Sequence, residues 1–341
     1  MPTLIDIARR TGVSGATVSN VLRGRGSVSV KTAERVRSAA NELGYRPNLF
    51  ARALAEGRAP TIALFFTNIT NPFYAQFTLE AEHAARRRDH FLLVCNAARP
   101  DGTLDTAYLD AVAGPLSEGL IVLGSDLGRK NLLSMLPAGV PAVLSIWEAP
   151  DAYPSKPCVT VDFRAAGRLA AEHLLELRHG SIAILTGGTS GVPIHNMRLA
   201  GAVAALRQAG IDLPKARIVV DEDSIGGGYR AACRLLESDP HITALLATND
   251  LLAIGALQAA AERGCPVPRA LSIVGITDIW MAAEMRPALT TVDIATASLA
   301  EGSVNLLLDL IADPDGVPSD ALRVVGAPRL IRRASTAPPS T

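Results

Sequence analysis

The sequence lacks the residue clusters that build metal and redox centres. Its four cysteines, Cys95, Cys158, Cys233 and Cys265, lie far apart, and no Cys-x-x-Cys pair or Cys/His cluster occurs. Structural zinc sites and redox-active dithiols need such close spacing. We therefore predict small buried thiols in a reducing compartment, and neither a metal nor a cofactor.

Motifs typical of enzymes and of membrane or exported proteins are missing as well. The sequence has no Walker loop, no Gly-x-Ser-x-Gly elbow and no metal-spaced histidine pair. No apolar run reaches the ~18 residues that cross a bilayer, and the first residues lack a basic segment followed by an apolar one. These absences favour a cytoplasmic protein that is not an enzyme and has no membrane partner.

Charge is balanced overall but unevenly distributed. The chain has 33 basic and 33 acidic residues, yet residues 1–60 hold ten basic and four acidic ones. The remainder holds 23 basic and 29 acidic residues, so a basic head precedes an acidic body. This asymmetry favours a head that binds phosphate while the body does not.

The sequence of the head predicts three short helices. Thr3 caps the first, Gly12 ends it, Ser14 caps the second, and the third runs from Ser29 to Leu43. Two short helices joined by a tight turn have the shape of a helix-turn-helix, which places its second helix in the major groove of DNA. An ordinary three-helix surface bundle is the alternative, and the basic surplus favours DNA binding.

Helical spacing separates an inner from an outer face of the head. Ile5 and Ala8 are predicted to face inward from the first helix, and Val18 and Val21 from the second. The outer positions of the second helix are Gly15, Ala16, Ser19 and Asn20.

The stretch from Thr3 to Gly57 closely resembles the lactose-repressor/galactose-repressor family of bacterial transcription regulators. The resemblance is carried by Ile5-Asp6-Ile7-Ala8, Gly12-Val13-Ser14, Thr17-Val18-Ser19-Asn20-Val21-Leu22, and Glu42 to Asn48 followed by Ala51-Arg52-Ala53-Leu54. It implies a cytoplasmic bacterial protein that associates with the nucleoid when it binds DNA.

The resemblance implies that the second helix reads base edges through Gly15, Ala16 and Asn20. Asn can bond adenine bidentately, whereas Gly and Ala offer at most a contact with a thymine methyl group. Hydroxyl side chains match positions that hold phosphates in the family, and helix capping is their alternative role. These residues are Thr3, Ser14, Thr17, Ser19 and Ser29.

Residues 47–60 are expected to form a hinge helix and linker. A helix of about nine residues is unstable alone in water, so we expect it to fold only when two copies meet on DNA. By resemblance, Leu54 wedges into the minor groove, with Asn48, Ala51 and Ala55 beside it. A plain linker is the alternative.

The remainder alternates nine apolar strand candidates with amphipathic helices between residues 62 and 311. This alternation predicts parallel sheets covered by helices. It resembles the family's body, so the fold is predicted as an N-terminal all-α helix-turn-helix domain plus an α/β periplasmic-binding-protein type I body of two Rossmann-like lobes. We expect lobe one over 61–159 and 291–321, and lobe two over 160–290 and the chain end, with three crossings.

In this body a ligand lies between the lobes at the carboxyl ends of the strands. By resemblance, Arg198 and Asn249 bind its oxygen atoms, Phe73 forms an apolar wall, and Asp162 lies near the mouth. Each polar residue has an alternative: a surface ion pair for Arg198, and helix capping for Asn249 and Asp162.

The cleft also departs from the family pattern. Thr277 stands where many sugar binders have an Asp, Leu123 and Ile146 replace polar groups, and Trp147 adds apolar surface. An Arg without an opposing carboxylate favours an anion. We hypothesise an effector that carries a carboxylate or phosphate, or one less hydroxylated than a free sugar.

The domains are predicted as 1–46 (helix-turn-helix), 47–60 (hinge helix and linker), 61–333 (effector binding and dimerisation) and 334–341 (disordered tail). A homodimer binds a near-palindromic double-stranded DNA operator, and a small-molecule effector (a sugar, sugar acid or other metabolite) shifts DNA affinity, with repression as the default. A solute-binding protein without a transcriptional role is the alternative. The absence of leucine heptads predicts no coiled-coil tetramer.

Overall fold

The structure, a computed structural model, describes residues 2–22, 28–45, 60–66, 68–96, 105–124, 136, 138–146, 148, 156–189, 192–318 and 320–340. The chain divides into two compact units, Met1–Ala59 and Pro60–Thr341.

The first unit is helical where the structure describes it. Its helices are α1 (Leu4–Thr11), α2 (Gly15–Leu22) and α3 (Val30–Glu42). Thr3 and Asp6 form the predicted capping box of α1, and Gly12 ends the helix at φ 66°, a left-handed conformation that glycine adopts without strain. The helix ends are therefore set by local sequence, as predicted.

One predicted core residue of the first unit is wrong. Ile5 is 67% exposed, whereas Ile7 is fully buried and packs with Val18, Val21 and Val36. Ile5 and Ile7 differ by about 200° around a helix, whereas Ala8, also predicted to face inward, does pack against this cluster.

The second unit contains the strands and the remaining helices. Its strands are β1 (Thr61–Phe66), β2 (Phe91–Asn96), β3 (Gly119–Leu123), β4 (Ala142–Ser145), β5 (Cys158–Thr160), β6 (Ile182–Thr189), β7 (Val192–Pro193), β8 (Ile218–Asp221), β9 (Ala244–Ala247), β10 (Ser272–Thr277), β11 (Thr290–Asp293), β12 (Leu322–Val324) and β13 (Arg329–Ile331). Its α-helices are α4 (Pro72–Arg87), α5 (Thr106–Val112), α6 (Phe163–Glu176), α7 (Asn196–Gln208), α8 (Ile225–Ser238), α9 (Asp250–Glu262), α10 (Met281–Glu284) and α11 (Thr296–Ala312), and a 3-10 turn spans Lys215–Arg217.

These strands form two sheets, which define two lobes. The lobe-one sheet has the order β12-β5-β4-β3-β1-β2, and all of its pairs are parallel. The lobe-two sheet has the order β13-β11-β10-β9-β6-β7, with β8 also paired to β6. Strands β3, β4 and β5 are buried along their whole length, as expected for parallel strands covered on both faces.

The chain passes between the lobes three times, as expected. It crosses after β5, after β11 and again between β12 and β13. The second crossing lies later than expected, because Thr291 belongs to β11 of lobe two and pairs with Gly275 of β10. The third also lies later, since lobe one extends to Val324. Every predicted strand is present, whereas β7, β11, β12 and β13 were not predicted.

The prediction of a disordered tail over residues 334–341 is wrong for residues 334–340. Ser335 is fully buried, and its Oγ donates to the Ile273 carbonyl at 2.5 Å and accepts from the Thr290 backbone N–H at 2.8 Å. The Ala337 backbone N–H donates to Ser272 Oγ at 3.0 Å. The segment is ordered because it satisfies buried polar groups of the lobe-two sheet.

No helix within the described ranges is both long and apolar enough to cross a membrane.

Candidate functional site

The three predicted base-reading positions lie on the outer face of α2. Gly15, Ala16 and Asn20 are all exposed, while Val18 and Val21 on the opposite face are buried. A Cβ placed on Gly15 would have no neighbour within 4 Å, so this end of the helix is open to a partner. Their proposed contact with bases remains a prediction.

Three of the five predicted phosphate-binding hydroxyls are used as helix caps. The Asp6 N–H donates to Thr3 Oγ1 at 3.4 Å, the Thr17 N–H to Ser14 Oγ at 3.1 Å, and the Thr32 N–H to Ser29 Oγ at 3.3 Å. Thr3, Ser14 and Ser29 are also exposed, while Thr17 and Ser19 are half-buried. Capping holds each hydroxyl beside the amides of a helix N-terminus, a site suited to an anion.

Five predicted site residues lie outside the described residues. They are the hinge positions Asn48, Ala51, Leu54 and Ala55, and the cleft residue Trp147.

A cavity of about 390 Å³, including its opening to solvent, lies between the two lobes. Lobe one contributes Asn71, Phe73, Tyr74 and Ile146, and lobe two contributes His195, Arg198, Asp223, Asn249, Leu251, Thr277 and Ile279. These residues follow or end strands at the carboxyl edges of both sheets, where ligands bind in open parallel sheets.

Four of the predicted effector-binding residues line this cavity, and two do not. Phe73, Arg198, Asn249 and Thr277 are in its wall. Leu123 is instead fully buried in the lobe-one core. Asp162 accepts from the Ala165 N–H at 2.8 Å and caps α6, which was its alternative role.

Arg198 is held by three contacts. Its Nη1 donates to the Thr248 carbonyl at 2.9 Å, its Nη2 donates to Glu148 Oε1 at 2.6 Å, and its guanidinium lies 4.6 Å from the centre of the Phe163 ring. The helices α6 and α7 cross closely through Gly167 and Gly201, because a Cβ on either glycine would overlap the backbone of the facing helix. This close crossing places Arg198 above Phe163.

The premise that Arg198 lacks an opposing carboxylate is therefore wrong. The carboxylate is supplied by Glu148, which follows β4 in lobe one, and the pair is almost entirely enclosed, with 5% of the Arg198 side chain and 0% of the Glu148 side chain exposed. Burial raises the pKa of Glu148 to about 7, although Arg198 opposes the shift. The hypothesis of an anionic effector loses the observation that supported it.

Asp223 supplies a further carboxylate, at the cavity wall itself. Its Oδ1 accepts from Asn249 Nδ2, and its Oδ2 lies 3.8 Å from His195 Nε2. Burial, with the charge of Arg198 adding, lowers the pKa of His195 well below its usual value, so this imidazole is neutral at physiological pH. Its Nδ1 is within hydrogen-bond distance of Thr248 Oγ1, at 2.9 Å.

Asn249 has its alternative role as a helix cap and also lies in the cavity wall, while its contact with an effector remains a prediction. Its Oδ1 accepts from the Leu252 N–H at 2.9 Å and caps α9, while the residue also lines the cavity. The cap and the hydrogen bond to Asp223 fix the amide, so its orientation is set before a ligand arrives.

The loop after β10 is fixed from beneath by Asp250. This carboxylate accepts from the Ile279 N–H at 2.9 Å and from Thr291 Oγ1 at 2.5 Å, and burial raises its pKa to about 6. Asp278 points to Arg333 at 2.7 Å, so it is Thr277, at φ 131°, that lines the cavity. Such a φ is costly for a β-branched residue and persists because the loop is held on both sides.

Sequence reasoning missed Glu148 and Asp223 as members of this site. Asp223 follows a predicted strand, so the rule of strand carboxyl ends could have found it. No local pattern marks Glu148, whose partner lies 50 residues away in sequence.

Comparison with known families matches both units. Residues 3–48 match the family model described as bacterial regulatory proteins, lacI family. Residues 171–336 match the model of a periplasmic binding protein-like domain.

Individual relatives cover nearly the whole chain. The HTH-type transcriptional repressor PurR of Klebsiella pneumoniae (strain 342) is 31% identical over 343 residues, which cover 99% of this chain and 97% of the relative. The Lac repressor dimer bound to operator and the anti-inducer ONPF has a TM-score of 0.83 at 26% identity, covering 98% of this chain and 99% of that one. A LacI family regulator from Enterococcus faecium with bound ribose has a TM-score of 0.68 at 28% identity, covering 82% and 99% of the two chains.

Proposed function

Because this chain belongs to the lacI family of bacterial regulatory proteins, it is a DNA-binding transcription regulator and not an enzyme, and we propose that it represses its target genes as a homodimer. A small molecule in the interlobe cleft controls its affinity for the operator. The helix-turn-helix unit separates this function from that of a solute-binding protein, which has no need of a DNA reader.

The DNA contacts follow from the outer face of α2. Asn20 bonds adenine at N6 and N7 in the major groove, while Gly15 and Ala16 allow close approach and add at most a thymine-methyl contact. The capping hydroxyls of Thr3, Ser14 and Ser29, with Thr17 and Ser19, hold the phosphates. Since the dimer places two such helices on DNA, the operator is a near-palindrome.

The hinge carries the signal from body to DNA. By the family resemblance, Leu54 of each protomer contacts the minor groove of the operator together with Asn48, Ala51 and Ala55. The protein acts in the cytoplasm and is associated with the nucleoid when bound.

The observation that carries the effector proposal is the gathering of Phe73, Arg198, Asp223 and Asn249 in one cavity between two lobes. An apolar wall opposite fixed polar groups suits a small polyol, because each hydroxyl can both donate to Asp223 and accept from Arg198 or Asn249. The Enterococcus faecium regulator binds ribose in a body of the same fold, which supports a sugar here.

Two measurements test this function together. Footprinting of the full chain on the DNA upstream of its own coding sequence, at low salt, should give a protected near-palindrome. Titration of neutral pentoses and hexoses should then change the operator affinity. Protection no better than on random fragments would overturn the regulatory role, whatever the ligand.

A further inference from the structure

The charge of Arg198 decides which ligands the cleft can hold. Among the described residues that line the cavity, Arg198 alone carries a positive charge at neutral pH, since His195 is neutral. An uncompensated guanidinium at such a place binds carboxylates and phosphates, often bidentately. The ligand class therefore depends on what else the guanidinium contacts.

Glu148, which belongs to lobe one, forms an ion pair with Arg198. Its Oε1 lies 2.6 Å from Arg198 Nη2, and its side chain has no exposed area. Glu148 is not among the residues that line the cavity. It can therefore act on a ligand only through Arg198.

Asp223 adds a second acidic side chain to the charged groups at the cleft. Its side chain is 26% exposed and lies in the cavity wall, where it would face the ligand directly. Above about pH 7, where Glu148 is ionised, the described charged groups at the cleft are thus two carboxylates and one guanidinium. A ligand carboxylate would meet Asp223 while the one nearby cation is already paired.

We propose that Glu148 is a specificity-determining residue, which neutralises Arg198 from lobe one and so makes the cleft accept an uncharged polyhydroxyl effector and reject the corresponding carboxylate. The inference rests on the proposed function, because it assigns the ligand class of the same cleft. Arg198 uses one N–H for Glu148 and one for Thr248. Its other N–H groups can donate to hydroxyl oxygens, which bring no net charge.

The geometry offers a conservative variant. Among the described residues, Glu148 Oε2 has no hydrogen-bond partner, and only Oε1 contacts Arg198. Glu148→Gln can therefore keep an acceptor oxygen on Nη2 while it removes the negative charge. Glu172→Gln is the matched control, because Glu172 pairs with Arg168 at 2.9 Å on the exposed surface of α6.

The test compares neutral sugars with their acids on the full chain without DNA. Calorimetry and thermal shift are measured with D-ribose and D-ribonate, D-glucose and D-glucuronate, and D-galactose and D-galacturonate. The unsubstituted chain should bind at least one neutral sugar, and bind its acid at least tenfold more weakly. Glu148→Gln should move this ratio toward the acid by roughly tenfold to a hundredfold, as one unit charge at side-chain distance does in an effective dielectric of about 20. Glu172→Gln should leave it unchanged.

Should Glu148→Gln not fold, pH provides the same comparison without substitution. Lowering the pH from 8 to 6 adds a proton to Glu148, whose pKa burial raises to about 7. Arg198 and Asp223 are the charged groups nearby, and His195 stays neutral over this range. Asp250 holds the loop beneath the cavity, and since burial raises its pKa to about 6, it takes up a proton only toward the lower end, so the change between pH 8 and 7 is the one assigned to Glu148. The acid-to-neutral affinity ratio of the unsubstituted chain should therefore rise as the pH falls.

Equal binding of acid and sugar by the unsubstituted chain, or a ratio that neither Glu148→Gln nor pH alters, would overturn the role of Glu148. Binding of none of the six compounds would overturn the ligand class. Operator protection is measured separately. If the chain protects its operator but gives one of these binding results, only the present inference is refuted and the regulatory function stands.

Discussion

Replacing Gly167 with Ala should disturb the effector cleft through the crossing of α6 and α7. A Cβ on Gly167 would lie 2.7 Å from the carbonyl carbon of Arg198 and 2.9 Å from its Cα. The carbonyl oxygen of Arg198 lies nearer still, and since carbon atoms pack best at about 3.5–4.0 Å, the helices must separate by more than about 1 Å. Both neighbours are backbone atoms, which cannot rotate away as a flexible side chain can.

The expected cost follows from overpacking. Forcing a methyl group into a closed contact lowers the free energy of unfolding by about 1–3 kcal/mol. The shift of α7 also moves the guanidinium of Arg198 relative to Glu148, which belongs to the other lobe. The distance of 2.6 Å between Arg198 Nη2 and Glu148 Oε1 would therefore change. Effector affinity should therefore fall together with stability.

Urea unfolding and calorimetric titration of the effector measure these two effects. Gly180→Ala is the matched control, because a Cβ on Gly180 meets nothing within 4 Å, and its stability should stay within about 0.5 kcal/mol of the unsubstituted chain. If Gly167→Ala matched Gly180→Ala in both measurements, the close helix crossing would not be what positions Arg198.

Three further substitutions examine other parts of the chain. Asn20→Ala on α2 should reduce the preference for the operator over random DNA by about 1–3 kcal/mol, measured by fluorescence anisotropy, whereas Asn41→Ala on α3 should not. Equal losses in the two variants would mean that α2 does not read the bases. Asp250→Asn should flatten the pH dependence of stability: the raised pKa means that the folded chain keeps a proton that the unfolded chain releases, so the free energy of unfolding falls as pH rises from 3.8 to about 6. An unchanged slope in urea titrations across that range would contradict the assignment. Ser335→Ala should lower the free energy of unfolding by about 1–3 kcal/mol, because it leaves a buried N–H of the lobe-two sheet unpaired; Ser340→Ala, at an exposed hydrogen bond, should have little effect, and similar values for both would mean that the tail is not an integral part of lobe two.

Local physics explains why the sequence predicts most of the fold. Strands such as β3 and β9 are continuous apolar runs that only a covered parallel sheet accommodates, and their bounds were predicted without error. The strand β11 was missed because two of its four residues are threonines, and β12 because all three of its residues are exposed. Such segments become strands through pairing with neighbours that are distant in sequence, which no local pattern records.

In the candidate site too, residues in local sequence motifs were predicted, whereas residues whose role depends on contacts between distant segments were not. Arg198 and Asn249 lie in motifs that the sequence displays, and both line the cavity. The role of Glu148 depends on its ion pair with Arg198 of the other lobe, which exists only in the folded chain. The tail was misjudged because its Ser, Thr and Pro composition is typical of disorder, while in the structure Ser335 satisfies buried backbone groups of lobe two.

The strand β1 connects the cavity wall to the start of the second unit. It begins at Thr61, immediately after the predicted linker, and its other end leads to Asn71 and Phe73 in the cavity wall. Six residues of strand span about 20 Å, and β1 is paired on both sides, with β2 and with β3, in a parallel sheet. A strand held in this way moves as a rigid body with its lobe. Residues of both lobes line the cavity, so under the proposed function a ligand that binds one interlobe angle more tightly than another would also favour one position of Thr61. The difference between its affinities for the two states sets the upper limit of its effect on operator affinity.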